Sequence, residues 1–162
     1  MTMKANSVND RHNDWDRRGL PAWTYHSEAM LDLERRELFI NHWQIAGHVS
    51  DVPRNGDFIT LDIASERAII MRGGDGVVRA FHNLCRHRGS RVAAKKQGHC
   101  KNALVCPFHG WVYNLDGTLR GAARPQSFGD LVWLRDGTEH CSYSPDGCLL
   151  AVHIAALETT VE

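Results

Sequence analysis

Two short pairs of cysteine and histidine constrain this chain more than anything else in it. Cys85-Arg86-His87 and Cys106-Pro107-Phe108-His109 stand eighteen residues apart and read C-x-H followed by C-x-x-H. Within each pair the two side chains share one tight loop, so the fold has to hold two loops side by side. The chain has five cysteines, Cys85, Cys100, Cys106, Cys141 and Cys148. An odd count at irregular spacing, with no export signal at the amino terminus, argues against a disulfide framework and toward metal. Cys100, Cys141 and Cys148 have no partner pattern and read as small buried apolar residues.

The donor types narrow the chemistry. Thiolate sulfur holds iron well, and two cysteines suit one iron of a [2Fe–2S] unit. Two neutral imidazoles suit the other iron and raise the reduction potential above that of an all-cysteine cluster. Gly89 and Gly110 follow the histidines, where bare backbone is expected to approach the inorganic sulfides and donate N–H bonds, and Pro107 stiffens the second loop. A structural Cys₂His₂ zinc site accepts the same donors and stays open as an alternative. Zinc fingers, however, usually place two cysteines in one group and two histidines in the other, whereas here each group mixes one of each.

The remaining sequence is read around these loops. Residues 1–19 are polar and charged apart from Trp15 and predict a flexible arm, or one docked on a partner subunit. Ser27 fits a helix N-cap with Glu28 in the first turn. Met30, Leu31, Leu33, Leu38, Phe39 and Trp43 give a roughly helical apolar face, so a helix is expected over 28–42 with that face in the core. Beyond it the rhythm is that of strands: 43–49, 58–63, 67–72 and 77–81, with turns at 53–56 and 73–76 where glycine reaches positive φ cheaply. Leu104-Val105 and Trp111-Val112-Tyr113 flank the second pair, and 115–118 is another turn. The segment 82–103 has little periodicity. Short strands with frequent turns indicate an antiparallel, mainly β domain.

Lysine plus arginine equals aspartate plus glutamate at 19 each, which gives no global case for nucleic acid. No stretch approaches the roughly 18 apolar residues of a membrane helix, and no secretory signal is visible. The expectation is a cytoplasmic chain with no nucleic-acid or membrane partner.

The runs Ala80-Phe81-His82-Asn83-Leu84-Cys85-Arg86-His87-Arg88-Gly89 and Cys106-Pro107-Phe108-His109-Gly110-Trp111-Val112-Tyr113-Asn114-Leu115-Asp116-Gly117 resemble the amino-terminal Rieske domain of ring-hydroxylating oxygenase α subunits. Residues 43–48 resemble the strand that precedes that domain, and the likeness covers about residues 20–124. It implies a mainly β Rieske fold, antiparallel sheets with two cluster-binding loops, preceded by an N-terminal helix. It implies a [2Fe–2S] cofactor held by Cys85, His87, Cys106 and His109. The expected organisation is a flexible arm over 1–19, a helical lead-in over 20–42 and a Rieske [2Fe–2S] domain over 43–128. Residues 129–162 are expected to be C-terminal strands or a non-native tail left by truncation or frameshift.

The Rieske proteins of respiratory complexes carry an extra cysteine in each loop and a serine after the His-Gly pair. Here Phe108 and Trp111 stand instead. Fewer donors to sulfide imply a potential toward the low end of the Rieske range, roughly −150 to 0 mV. In the resembled family the cluster relays electrons from a ferredoxin or flavin reductase to a mononuclear iron on two histidines and a carboxylate. Substrates there include aromatic rings and quaternary ammonium compounds. Residues 129–162, with His140 and His153, show no spacing for such a triad, so no catalytic residue is assigned. A stand-alone Rieske ferredoxin is the alternative, and the helical lead-in favours the oxygenase subunit. Arg86, Arg88, Arg91, Lys95 and Lys96 form a basic cluster around the first loop, suited either to docking an acidic electron donor or to a plain solvated surface.

Overall fold

The computed structural model describes residues 19–122, the strand 141–143 and residues 149–153. Expectations for the arm before Gly19, for His140 and Cys148, and for most of 123–162 lie outside those residues.

Among the described residues, ten strands form three antiparallel sheets. The central sheet has the order β4 (Val78–His82), β3 (Glu66–Arg72), β2 (Asp57–Ile63), β5 (Gln97–His99). A second has the order β1 (Trp43–His48), β10 (Leu149–His153), β9 (Cys141–Tyr143), and a third the order β6 (Leu104–Val105), β7 (Val112–Tyr113), β8 (Leu119–Gly121). The fold is thus mainly β with one short N-terminal helix, as its turn-punctuated sequence indicates.

Strand alternation explains how the layers meet. Successive side chains on a strand point to opposite faces. From the central sheet, Phe58, Ile69, Met71 and Phe81 pack with Leu104, Trp111, Tyr113 and both loop cysteines. The intervening positions Ile59, Ala68, Ile70, Val78 and Ala80 pack on the other face with Val52, Leu150 and Val152. The uninterrupted apolar run 68–71 in β3 therefore reflects burial on both faces.

Two details brace this frame. Asp57, at the start of β2, accepts from the Arg54 backbone N–H at 2.9 Å and lies 2.8 Å from His99 Nδ1 on β5. Gly56 beside it has φ +90°, and a Cβ there would overlap the Cys100 carbonyl, so only glycine fits. β5 itself falls in the segment that lacks sequence periodicity. It is recognised by its partner: Gly98 pairs with Phe58, whose ring covers the space a side chain would fill.

The N-terminal helix differs from expectation. α1 spans Glu28–Glu34 and is N-capped by Ser27, whose Oγ accepts from Met30 N–H at 3.2 Å. From Arg35 to Ile40 the backbone widens into a π-helical stretch before Asn41. The apolar face expected in the core is exposed: Leu31, Leu33 and Leu38 are 51%, 43% and 50% accessible, and neither segment has a buried residue. Amphipathic spacing specifies a face, not the surface that covers it.

Candidate metal centre

The two loops close by the same hydrogen bonds. In the first, after β4, Cys85 N–H donates to the Ser90 carbonyl at 2.7 Å and Gly89 N–H donates to the Cys85 carbonyl at 2.8 Å. In the second, between β6 and β7, Cys106 N–H donates to the Trp111 carbonyl at 2.8 Å and Gly110 N–H donates to the Cys106 carbonyl at 3.0 Å. Each loop is a cysteine, a glycine four residues on and a return residue after that. The histidine falls two residues after the cysteine in one loop and three after it in the other, which accounts for C-x-H beside C-x-x-H.

This geometry gives the glycines a role in shaping the loops. Their N–H groups close the turns. Glycine is needed because Gly89 and Gly110 adopt φ of +65° and +70°, where a β-carbon is costly.

The fold pairs the four side chains differently from the sequence. Cys85 and Cys106 are each 2% exposed, belong to the same buried cluster, and each thiol shifts the titration of the other. The rings of His87 and His109 meet edge to face with centroids 4.7 Å apart. Sulfur adjoins sulfur, and imidazole adjoins imidazole. Among the described residues, no three histidine, cysteine, aspartate or glutamate side chains close on a single ion position.

Protein donors surround the sulfurs. Burial pushes the Cys85 thiol up, opposed by the Tyr113 hydroxyl and the His87 N–H. Tyr113 Oη lies 3.2 Å from Cys85 Sγ and accepts the Arg86 backbone N–H at 3.1 Å, so its own proton can point at sulfur. At Cys106, burial acts upward too, but the N–H groups of Phe108 and His109, with Cys85 and the Ser90 side chain, bring the thiol below its ordinary value. His87 is held below its usual value by burial and then by His109 and Arg88. That favours the neutral imidazole, the form that binds metal.

Three residues that carry this site escape the Cys/His pattern. Tyr113 and Ser90 supply the side-chain hydroxyls. Asn83, fully buried, ties the first loop to the next segment: its Oδ1 accepts from Val92 and Ala93 N–H at 3.1 and 2.8 Å, and its Nδ2 donates to the Ala93 carbonyl at 2.7 Å. One signal for Tyr113 is present in the sequence, since alternation along β7 puts it on the same side as Trp111. Cys100 is half-buried, and burial raises its thiol, in keeping with a packing role. Of the basic residues near the loop, Arg91 is engaged by Asp62 at 2.9 Å.

Comparison with known proteins agrees with this geometry. The model of the family described as "Rieske [2Fe-2S] domain" matches residues 42–134. The chain is 42% identical over 100 residues to the glycine betaine monooxygenase oxygenase subunit of Pseudomonas aeruginosa, covering 62% of this chain and 23% of that protein. It is similar to the crystal structure of the quaternary ammonium Rieske monooxygenase CntA in complex with gamma-butyrobetaine, at TM-score 0.69 and 28% identity, covering 82% of this chain and 38% of that one. A naphthalene 1,2-dioxygenase structure matches at TM-score 0.66 and 26% identity, covering 78% of this chain and 29% of that one. The chain thus spans about a quarter of the length of the curated relatives it matches. More than half of its residues fall under the family model, and the same residues form the two matched cysteine loops, so this chain belongs to the Rieske [2Fe-2S] domain family and has a Rieske-type cluster as its cofactor.

Proposed function

We propose that Cys85 and Cys106 hold one iron of a [2Fe–2S] cluster, and His87 and His109 the other, in an electron-relay domain of a Rieske oxygenase subunit. The observation that carries this reading is the re-pairing of the side chains by two identically closed loops, thiol beside thiol and ring beside ring. A Rieske-type cluster puts two cysteines on one iron and two histidines on the other, which is the grouping these side chains make.

The bound cluster accepts one electron and passes it on. The chain's own residues prepare and shield that step. Backbone N–H groups and the Tyr113 and Ser90 hydroxyls offset thiolate charge, which is otherwise costly at 2% exposure. His109 and Phe108 are exposed, the latter at 60%, so a redox partner can approach the imidazole edge closely. Exposed Arg88, Lys95 and Lys96 ring the first loop and suit an acidic ferredoxin or a flavin reductase as donor. The acceptor is a mononuclear iron of the oxygenase system, and the likeness to glycine betaine monooxygenase and CntA supports oxidation of a quaternary ammonium substrate over aromatic hydroxylation.

A redox titration of anaerobically purified protein tests the relay. One reversible one-electron wave between roughly −150 and 0 mV is expected. A wave well above that range contradicts the oxygenase assignment, and the lack of any wave contradicts the relay.

A further inference from the structure

The two histidines differ sharply in what stands behind them. His87 lies parallel to the indole of Trp111, with ring centroids 5.0 Å apart and planes 10° from parallel. Trp111 is 1% exposed. Its carbonyl accepts the Cys106 N–H that closes the second loop, and β7 begins at the next residue. The indole is therefore a fixed plate, locked by the frame of one loop and applied to the ligand candidate of the other. Among the described residues, His109 has no parallel ring partner. It meets His87 edge to face, and its other ring neighbour is Phe108, adjacent in sequence, tilted by 45° and 60% exposed.

We infer that Trp111 is a positioning residue for His87, a plate that sets the plane of the imidazole and keeps water from its face. This rests on the assignment of His87 as a ligand. The physical basis is the softness of the second histidine torsion, whose energy profile is broad and roughly two-fold. A ring with no flat neighbour samples a wide range of planes. A parallel, buried aromatic partner at 5.0 Å narrows that range and adds the attraction of offset stacking. Ring plane governs how the ligand nitrogen shares spin with iron, and water access governs how well the reduced cluster is solvated. The consequence is a pair of unequal ligands, His87 braced from behind and His109 free to adjust at the surface.

The test is pulsed EPR of the reduced protein, with ¹⁵N-histidine labelling, together with the reduction potential, for the parent and for Trp111→Leu and Trp111→Phe. The parent must first show two histidine nitrogens; if it shows none, the ligand assignment fails and the inference with it. Given two, Trp111→Leu is expected to shift or broaden one nitrogen coupling, leave the other in place and raise the potential as water reaches the ring. Trp111→Phe, which retains a flat partner, is expected to restore the parent coupling. Unchanged couplings in Trp111→Leu, or equal changes in both, overturn the positioning role even if stability falls. Should Trp111→Leu fail to hold a cluster, fluorinated tryptophan incorporated into the parent and into Trp111→Phe decides. A shift in one coupling for the parent, absent in Trp111→Phe, supports the inference, and no difference between the two overturns it.

Discussion

At the scale of single residues, the site depends as much on hydrogen-bond donors as on ligands. The Tyr113 hydroxyl, 3.2 Å from Cys85 Sγ, stabilises the more negative, reduced state of a cluster held there. Its removal in Tyr113→Phe is expected to lower the potential by about 20–60 mV, the one-electron equivalent of a hydrogen bond worth about 0.5–1.5 kcal/mol. A potential unchanged within about 10 mV would show that the hydroxyl does not address the sulfur. Asp57 gives a second test. Burial raises its carboxyl, but hydrogen bonds from Arg54 and His99 outweigh this and hold it below its ordinary value of 3.8. Because the folded-state value is depressed, the stabilisation is fully present above pH 3.8 and is lost as pH falls below it. Denaturant midpoints measured against pH should therefore drop less steeply on the acid side for Asp57→Asn than for the parent; parallel profiles would contradict the pairing. The sequence marks the four Cys/His positions as candidates because metal chemistry restricts both type and spacing, and the fold brings them together as two cysteines and two histidines. Asn83 and Ser90 could not be read from sequence, because their roles arise from contacts across loops that no local pattern encodes, and for Tyr113 strand alternation indicates only the side it faces.

At the scale of elements, strands were far more legible than the helix. β2, β3 and β4 match their sequence runs to within a residue or so, since their alternation and glycine turns are local properties. β5 was missed because three residues with Gly98 at the centre carry no period; its place is fixed by Phe58 on the neighbouring strand. The helical lead-in was found, but its burial was not. The core and the helix should respond in opposite ways to substitution. Ile69→Ala, at 1% exposure, removes packing from the face shared with the cysteine loops and is expected to cost about 2–5 kcal/mol in chemical denaturation. Leu31→Glu, at 51% exposure, is expected to change stability by less than about 1 kcal/mol in this chain. A loss at Leu31 comparable to that at Ile69 would mean that the helix face is covered in solution.

At the scale of the whole molecule, a central sheet with two apolar faces joins a sheet that includes the N-terminal strand to a small sheet that carries the second loop. The first loop leaves β4 of the central sheet, and the second leaves β6 of the outer one, so the two donor groups come from different layers. This explains why the cysteines sit in the main core while the histidines lie nearer its edge. Domain class and cofactor chemistry were readable before the structure because they hang on two motifs and a strand rhythm. The inequality of the two histidines was not, since it depends on Trp111 reaching from one loop to the other. The account stands on the identity of the group those loops hold, and metal and acid-labile sulfide analysis of anaerobically purified protein tests it most directly. Two irons with two sulfides per chain are predicted; one zinc with no sulfide would contradict the account.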